Sequence, residues 1–252
     1  MAGLETAPER ITQLNAAPPA SGPVLYWMSR DQRVQGNWAL ALAQERAAQA
    51  KAPLAVLFCL ADGFLDAQPW HFAFMLDGLR ETSRELEKLN IPFFVMRGSP
   101  ESEIPRFAQK CRAGLAVCDF DPLSIKQRWA ERTAKALKMP LLEVDAHNIV
   151  PCRHVSQKRE AGAYTLRPKL NRLLPGFLTA FPEIKRQKTA WSGPAPEKLP
   201  PSPEQKGTAG SRCIFRPGRA AALARLGTFV KNGLAAYENG RNDPSLDALS
   251  GL

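Results

Sequence analysis

Between residues 24 and 144 the chain alternates short apolar runs with stretches of helical periodicity, and this alternation constrains the fold more than any other feature. Val24–Met28 (VLYWM) and Leu54–Leu60 (LAVLFCL) read as buried strands. Residues 93–96 (FFVM), 115–118 (LAVC) and Leu141–Val144 continue the series. Between them, residues 32–51 place Val34, Trp38 and Leu42 on one stripe, and residues 70–90 place Phe72, Met75, Leu76, Leu79 and Leu86 on another. Residues 100–112 read as helical, with Pro105 expected to kink or restart the helix. Residues 122–138 form a further helix, with Ile125, Trp129, Thr133 and Leu137 facing inward. Strands connected by helices require a parallel sheet covered on both faces. The expectation is therefore a doubly wound, five-stranded parallel α/β domain over residues 23–150.

In such a sheet, ligands bind beyond the carboxyl ends of the strands, where the strand order reverses. For a spatial order 3-2-1-4-5 the reversal lies between the first and fourth strands. Met28, Ser29, Arg30 and Asp31 would then face Asp119, Phe120 and Asp121 across a cleft. A simpler role competes: Ser29 or Asp31 capping the first helix and Asp121 the fourth. No G-x-G-x-x-G follows the first strand and no G-x-x-x-x-G-K-[ST] occurs, so the two commonest phosphate-binding signatures are absent. No G-x-S-x-G elbow is present either. Asp145 and His147 resemble an acid–base pair, but hydrogen bonding at a strand end is the default. Packing is the default for the tryptophans, and the front domain reads as a binding module, not a reaction centre.

The flanks differ in character. Residues 1–22 mix charge, Ala and Pro without an apolar signal core and are expected to be a disordered leader. Residues 151–214 carry Pro151, Pro168, Pro175 and Pro182 and then a Pro/Gly/Ser-rich stretch at 191–211, which reads as an interdomain linker. Residues 216–239 return to helical periodicity, with Leu223, Leu226, Val230, Leu234 and Tyr237 on one stripe. Gly227 and Gly233 weaken that helix by roughly 1 kcal/mol each relative to Ala, so it needs a partner surface.

Five cysteines without a C-x-x-C pair fit a reduced, cytoplasmic protein, and three histidines lack zinc-ligand spacing. No apolar run approaches the ~18 residues of a membrane span, so no membrane partner is expected. A net charge of +10 suits phosphate-rich partners or merely solubility, and the basic residues read as dispersed.

Several segments together resemble class II cyclobutane-pyrimidine-dimer photolyases, of the photolyase/cryptochrome family. VLYWMSRDQRVQGNWAL (24–40) is similar to that family's opening strand, Ser-Arg-Asp-x-Arg turn and Asn-Trp helix. FCLADGF (58–64), HFAFMLDGL (71–79), LNIPFF (89–94) and EVDAHNIVP (143–151) follow in order. So do DFDPL (119–123) with Ile125, Lys126 and Trp129, then TLRPK (165–169) and RNDPSLDALSGL (241–252). Two departures stand out: Gly36 replaces the usual acid before Asn37, and residues 158–164 drift from the family's aromatic and Arg pattern.

The resemblance implies light-driven repair of damaged DNA divided between two domains. The front domain holds an antenna chromophore, a deazaflavin in some members, at the cleft described above. A helical domain binds FAD and splits the dimer. The resemblance places Tyr237 beside the flavin adenine-phosphate moiety, and Ser250, Gly251 and Leu252 at the start of its phosphate loop. Residues 215–252 would be the first part of that domain, truncated. This implies an amino-terminal portion inactive alone, completed by a catalytic half on a separate chain or left as a frameshift relic. No catalytic residue transfers. The alternatives are a stand-alone chromophore- or nucleotide-binding module without lyase activity, and a basic nucleic-acid accessory protein.

Overall fold

The computed structural model describes residues 6–158, 160–202, 215–243 and 245. The chain divides into two compact units, one of residues 1–62 and 85–198, the other of residues 63–84 and 199–252.

The first unit is built on a six-stranded sheet in the order β1-β6-β5-β2-β3-β4. Its members are β1 (Ile11–Gln13), β2 (Val24–Met28), β3 (Leu54–Leu60), β4 (Phe93–Arg97), β5 (Leu115–Asp119) and β6 (Leu141–Val144). The five strands read from the sequence are all present and parallel, and the order reverses between β2 and β5 as anticipated. Successive side chains point to opposite faces. Leu25, Trp27, Ala55, Leu57, Ala116 and Cys118 join Ile104, Phe107, Ala108, Ala130 and Ala134 in one core cluster. That cluster fixes α3 (Pro100–Cys111) and α4 (Ser124–Ala136) on one face. The alternate residues Val24, Tyr26 and Met28 are equally buried, and α1 (Trp38–Gln49) packs along β2 and β5. Burial on both faces explains why the strands read as continuous apolar runs without alternation.

The sixth strand corrects the expectation of a disordered leader. Residues Ile11, Thr12 and Gln13 pair antiparallel with Val144, Glu143 and Leu142, closing an edge that β6 would otherwise expose. Arg10, in the 3-10 turn just before, holds the segment down. Its guanidinium donates to the carbonyls of Asp145 (2.9 Å), Asn148 (2.8 Å) and Ile149 (2.6 Å) and lies over the Trp38 ring. Asn15 adds a second anchor, donating to the Ala134 and Met139 carbonyls and accepting from the Leu141 amide. Neither anchor has a hydrophobic signature, so the composition concealed both.

Helix boundaries also move. The first helix begins at Trp38, not residue 32, because Asn37 is its N-cap: Asn37 Oδ1 accepts from the Leu40 amide at 2.9 Å. Neither Ser29 nor Asp31 caps it. α3 continues through Pro105 as one element. Within the segment expected to be a linker, Cys152–Val155 forms a short α5 and Ala163–Phe177 a fifteen-residue α6. Pro168 and Pro175 lie inside α6 on its exposed side. A proline forfeits only the bond to the carbonyl four residues earlier, here those of Tyr164 and Asn171, and both residues face water.

The second unit contains most of α2 (Pro69–Lys88), whose last turn belongs to the first unit, and α7 (Arg219–Thr228). A π turn over Phe229–Gly233 and a one-turn α8 (Tyr237–Gly240) follow. The continuous helix expected over 216–239 is therefore interrupted, beside the two glycines. Glu81 Oε1 accepts from the Ala220 amide, and Arg80 donates to the Pro200 carbonyl. The predicted stripe is exposed: Leu223, Leu226, Val230, Leu234 and Tyr237 range from 39% to 54%.

Candidate functional site

The residues expected at the strand reversal do come together, and one carboxylate organises them. Asp119 ends β5 and is buried. Its Oδ2 accepts from the consecutive backbone amides of Ser29 (2.8 Å), Arg30 (2.8 Å) and Asp31 (3.1 Å). Its Oδ1 accepts from the Tyr26 hydroxyl at 2.6 Å. Consecutive amides converging on one oxygen form an anion-binding nest, the arrangement that cradles a ligand phosphate in many sheets of this kind. Here the protein's own carboxylate fills it, so these three amides are not available to an external anion.

The polar chain extends inward. Asn37 Nδ2 donates to the Tyr26 hydroxyl and to the carbonyls of Asp31 and Arg33, each at 3.0 Å. Tyr26 thus accepts from Asn37 and donates to Asp119, with each group satisfied in the interior, where an unmade bond is costly. Burial, and secondarily the charge of Asp31, pushes the Asp119 carboxyl up to about 6, while Tyr26 and the amides hold it down. Tyr26 itself is pushed well above the ordinary phenol range by burial and by Asp119.

Asp31 is fully buried and pairs with Arg33 (2.5 Å), and its Oδ1 lies 3.4 Å from His147 Nδ1. Asp145 turns elsewhere, accepting from the Asn148 and Cys152 amides and from the Asn148 side chain. Asp145 and His147 therefore serve separate loop-closing contacts. Met28 is buried at the end of β2, and Phe120 is buried beneath the Arg153 guanidinium, 5.1 Å from its ring centre. Asp121 accepts from the Leu123 amide two residues on, a local turn before α4 in place of the helix cap considered above.

The more open side of this edge carries a different chemistry. Lys126, in the first turn of α4, reaches over to donate to Ser29 Oγ at 2.9 Å, and its ammonium sits 5.1 Å from the centre of the Trp129 ring. Burial lowers its pKa, opposed by Asp121 and Asp119. Burial likewise pushes the nearby Cys59 thiol up to about 12, and Cys118 well above its ordinary value, so neither is a ready thiolate. The four described cysteines are free, and no metal-holding group of His, Cys, Asp and Glu occurs among the described residues. Nothing here is activated as a nucleophile. Lys126, Ser29 and Trp129 together offer a cation, a hydroxyl and an aromatic face, a set suited to binding.

Sequence reasoning missed Tyr26 and Asn37 as site residues and Lys126 as the site's cation. Asn37 was legible, since Asn before a helical run is an N-cap signal. Tyr26 was not, because a tyrosine within an apolar strand carries no sign of its partner. Of the residues assigned to FAD by resemblance, only Tyr237 is described. Its ring meets Phe229 edge-on and lies under the Arg241 guanidinium. Ser250, Gly251 and Leu252 lie outside the described residues. One aromatic and one cation do not constitute a flavin site, and no step through FAD can be built on them.

Residues 24–186 match the family profile described as DNA photolyase. The chain belongs to that family. A deoxyribodipyrimidine photo-lyase of Potorous tridactylus is 42% identical over 240 residues, 90% of this chain and 44% of the relative. Photo-lyases of the same name from Arabidopsis thaliana and Methanothermobacter thermautotrophicus are 43% and 33% identical, over 71% and 97% of this chain. The chain spans 36% and 55% of those two relatives. The fold likewise matches a Synechocystis cryptochrome (TM-score 0.68, 19% identity, 89% of this chain and 50% of that one). It also matches a bacterial class III photolyase from Agrobacterium tumefaciens (TM-score 0.63, 23% identity, 93% and 50%). No described helix is long and apolar enough to cross a membrane.

Proposed function

We propose that this chain is the amino-terminal α/β portion of a light-dependent deoxyribodipyrimidine photolyase of the class II type. In this reading it serves as the antenna-bearing and structural front half of an enzyme acting on damaged DNA. The observation that carries the reading is the 42% identity to a photo-lyase sustained over 90% of this chain. In this reading the chemistry would reside on FAD held by a catalytic half. When bound, FAD would supply the electron that splits the dimer.

The antenna site proposed here is the β2–β5 edge, with Ser29 and Lys126 as its polar contacts and Trp129 as its aromatic wall. A deazaflavin presents ring carbonyls that such groups can bind. A nucleotide-binding module is the weaker alternative, because Asp119 already holds the amides that a phosphate would need. The test is an absorption spectrum of the purified chain supplied with a deazaflavin. A stoichiometric blue-absorbing complex, lost in Lys126→Ala while the fold is retained, supports the antenna site. A chain that binds no chromophore, or whose binding ignores Lys126, overturns the site assignment. Flavin held at full occupancy by this chain alone would overturn its reading as a front half.

A further inference from the structure

Half of the chain's excess charge lies in one short segment. Residues 146–182 contain six basic side chains, Arg153, Lys158, Arg159, Arg167, Lys169 and Arg172, against the single acid Glu160. The basic residues are thus less dispersed than a whole-chain survey suggests. Glu160 is consumed locally: it accepts from Lys169 at 2.5 Å and from Ser156 at 2.6 Å. Arg153 pairs with Glu143. Lys158, Arg167 and Arg172 have no ion-pair partner among the described residues.

α6 sorts these groups by face. Tyr164, Arg167, Asn171 and Arg172 are exposed, Tyr164 at 76%; the first three follow the three-to-four-residue spacing of one helix side, and Arg172, next to Asn171, borders it. Leu166, Leu170, Leu173, Leu174 and Phe177 are half-buried. Phe177 is fixed by His154 (5.4 Å between ring centres) and by the Arg10 guanidinium (5.5 Å). The outer face is therefore cationic, with hydrogen-bonding Asn and Tyr side chains between the cations, and it is held on a folded support. A membrane-surface helix would instead need its apolar side free.

We propose that the outer face of α6, with Lys158 beside it, is a contact surface for the phosphate backbone of double-stranded nucleic acid. Guanidinium groups match phosphate oxygens bidentately, and Asn and Tyr add neutral donors. These groups are assigned to backbone oxygens, which carry no sequence information, so binding is expected to be independent of sequence and damage. The inference goes beyond the repair reading and needs neither light nor a cofactor.

The test is fluorescence anisotropy of the 252-residue chain with an undamaged duplex, in darkness, across a salt series. Three phosphate contacts predict a slope of log K on log salt of about −3, with micromolar or weaker affinity near physiological salt. Arg167→Glu with Arg172→Glu should weaken binding at least tenfold at low salt and reduce the slope by about 2. The control, Lys135→Glu in the last turn of α4 with Lys138→Glu just after it, changes net charge equally and should cost less than threefold. Thermal melting checks the fold, and Arg167→Gln with Arg172→Gln replaces the reversal should it fail. Absent duplex binding, an unaffected α6 variant, or equal loss in the control overturns the proposal. So does preferential binding to phosphatidylserine vesicles over duplex.

Discussion

Tyr26 in β2 donates its hydroxyl proton to Asp119 Oδ1 in β5 at 2.6 Å, and this bond ties together the two strands between which the sheet reverses direction. The same tyrosine accepts from Asn37, and the same carboxylate gathers three successive amides of the β2–α1 loop. The nest of amides that in related architectures is left for a ligand phosphate is filled here from within. The consequences are specific to each group.

Removing the Tyr26 hydroxyl leaves Asp119 Oδ1 short of a partner in the interior, while the two Asn37 Nδ2 protons keep the Asp31 and Arg33 carbonyls. Tyr26→Phe should therefore destabilise the chain by about 1–3 kcal/mol in urea unfolding. Asp119→Asn should cost a similar amount for a different reason. If its carbonyl keeps the amides, its NH2 faces a hydroxyl that already accepts from Asn37, and the tyrosine proton is orphaned. Combining the two substitutions removes that orphan. The double variant should be within roughly 0.5 kcal/mol of Asp119→Asn alone, and simple additivity would refute the shared network.

The pH dependence follows from the same carboxyl. Its folded-state value is raised from 3.8 to about 6, chiefly by burial. Between about pH 4 and 6 the folded chain then holds a proton that the unfolded chain has released, so stability falls as pH rises and levels off above 6. Glu143, also raised by burial, contributes with the same sign. Asp119→Asn should flatten the fall by an amount on the order of 3 kcal/mol, read from urea midpoints at pH 4 and 7. A variant whose profile parallels the parent would show that another group carries it.

Arg10 offers the cleanest test of the amino-terminal segment. Its guanidinium serves three carbonyls, and burial lowers its pKa even against the favourable charge of Asp145. Arg10→Ala leaves those carbonyls without their donor and should cost about 2–4 kcal/mol. Hydrogen exchange should show Ile11–Gln13 losing protection first, since β1 has only β6 as a neighbour. Unchanged protection there would mean that strand pairing alone holds the segment.

The sheet was legible because its evidence is local. Each parallel strand is a short apolar run, buried on both sides, and the reversal between β2 and β5 then places Ser29, Arg30 and Asp31 opposite Asp119 without further information. What stayed hidden depends on partners far away in the chain. Arg10 looks like any surface arginine until Asp145, Asn148 and Ile149 surround it. Tyr26 looks like core until Asp119 and Asn37 meet its hydroxyl. Asn37 is the intermediate case, since its capping role is written locally but its three donor bonds are not. Lys126 could be found as a motif residue, yet its reach to Ser29 depends on how α4 leaves the sheet.

The prolines of α6 are the last feature that sequence reading treats as a break and the structure carries through. Pro168 sits on the exposed side, and the carbonyl it leaves unbonded is that of Tyr164, a residue open to water. Two effects compete when it is replaced. Pro168→Ala restores an amide donor and a better helix former, a gain approaching roughly 3 kcal/mol in a regular helix interior. It also loosens the unfolded chain, which costs about 0.4–1 kcal/mol. Because water already solvates the Tyr164 carbonyl, only part of the first term is recoverable, and the net expectation is about 1 kcal/mol of stabilisation. Urea unfolding of Pro168→Ala, with circular dichroism as the readout, measures the balance. A destabilised variant would mean that the pyrrolidine ring itself packs against the chain, and that the exposed face of α6 is less open than its side chains indicate.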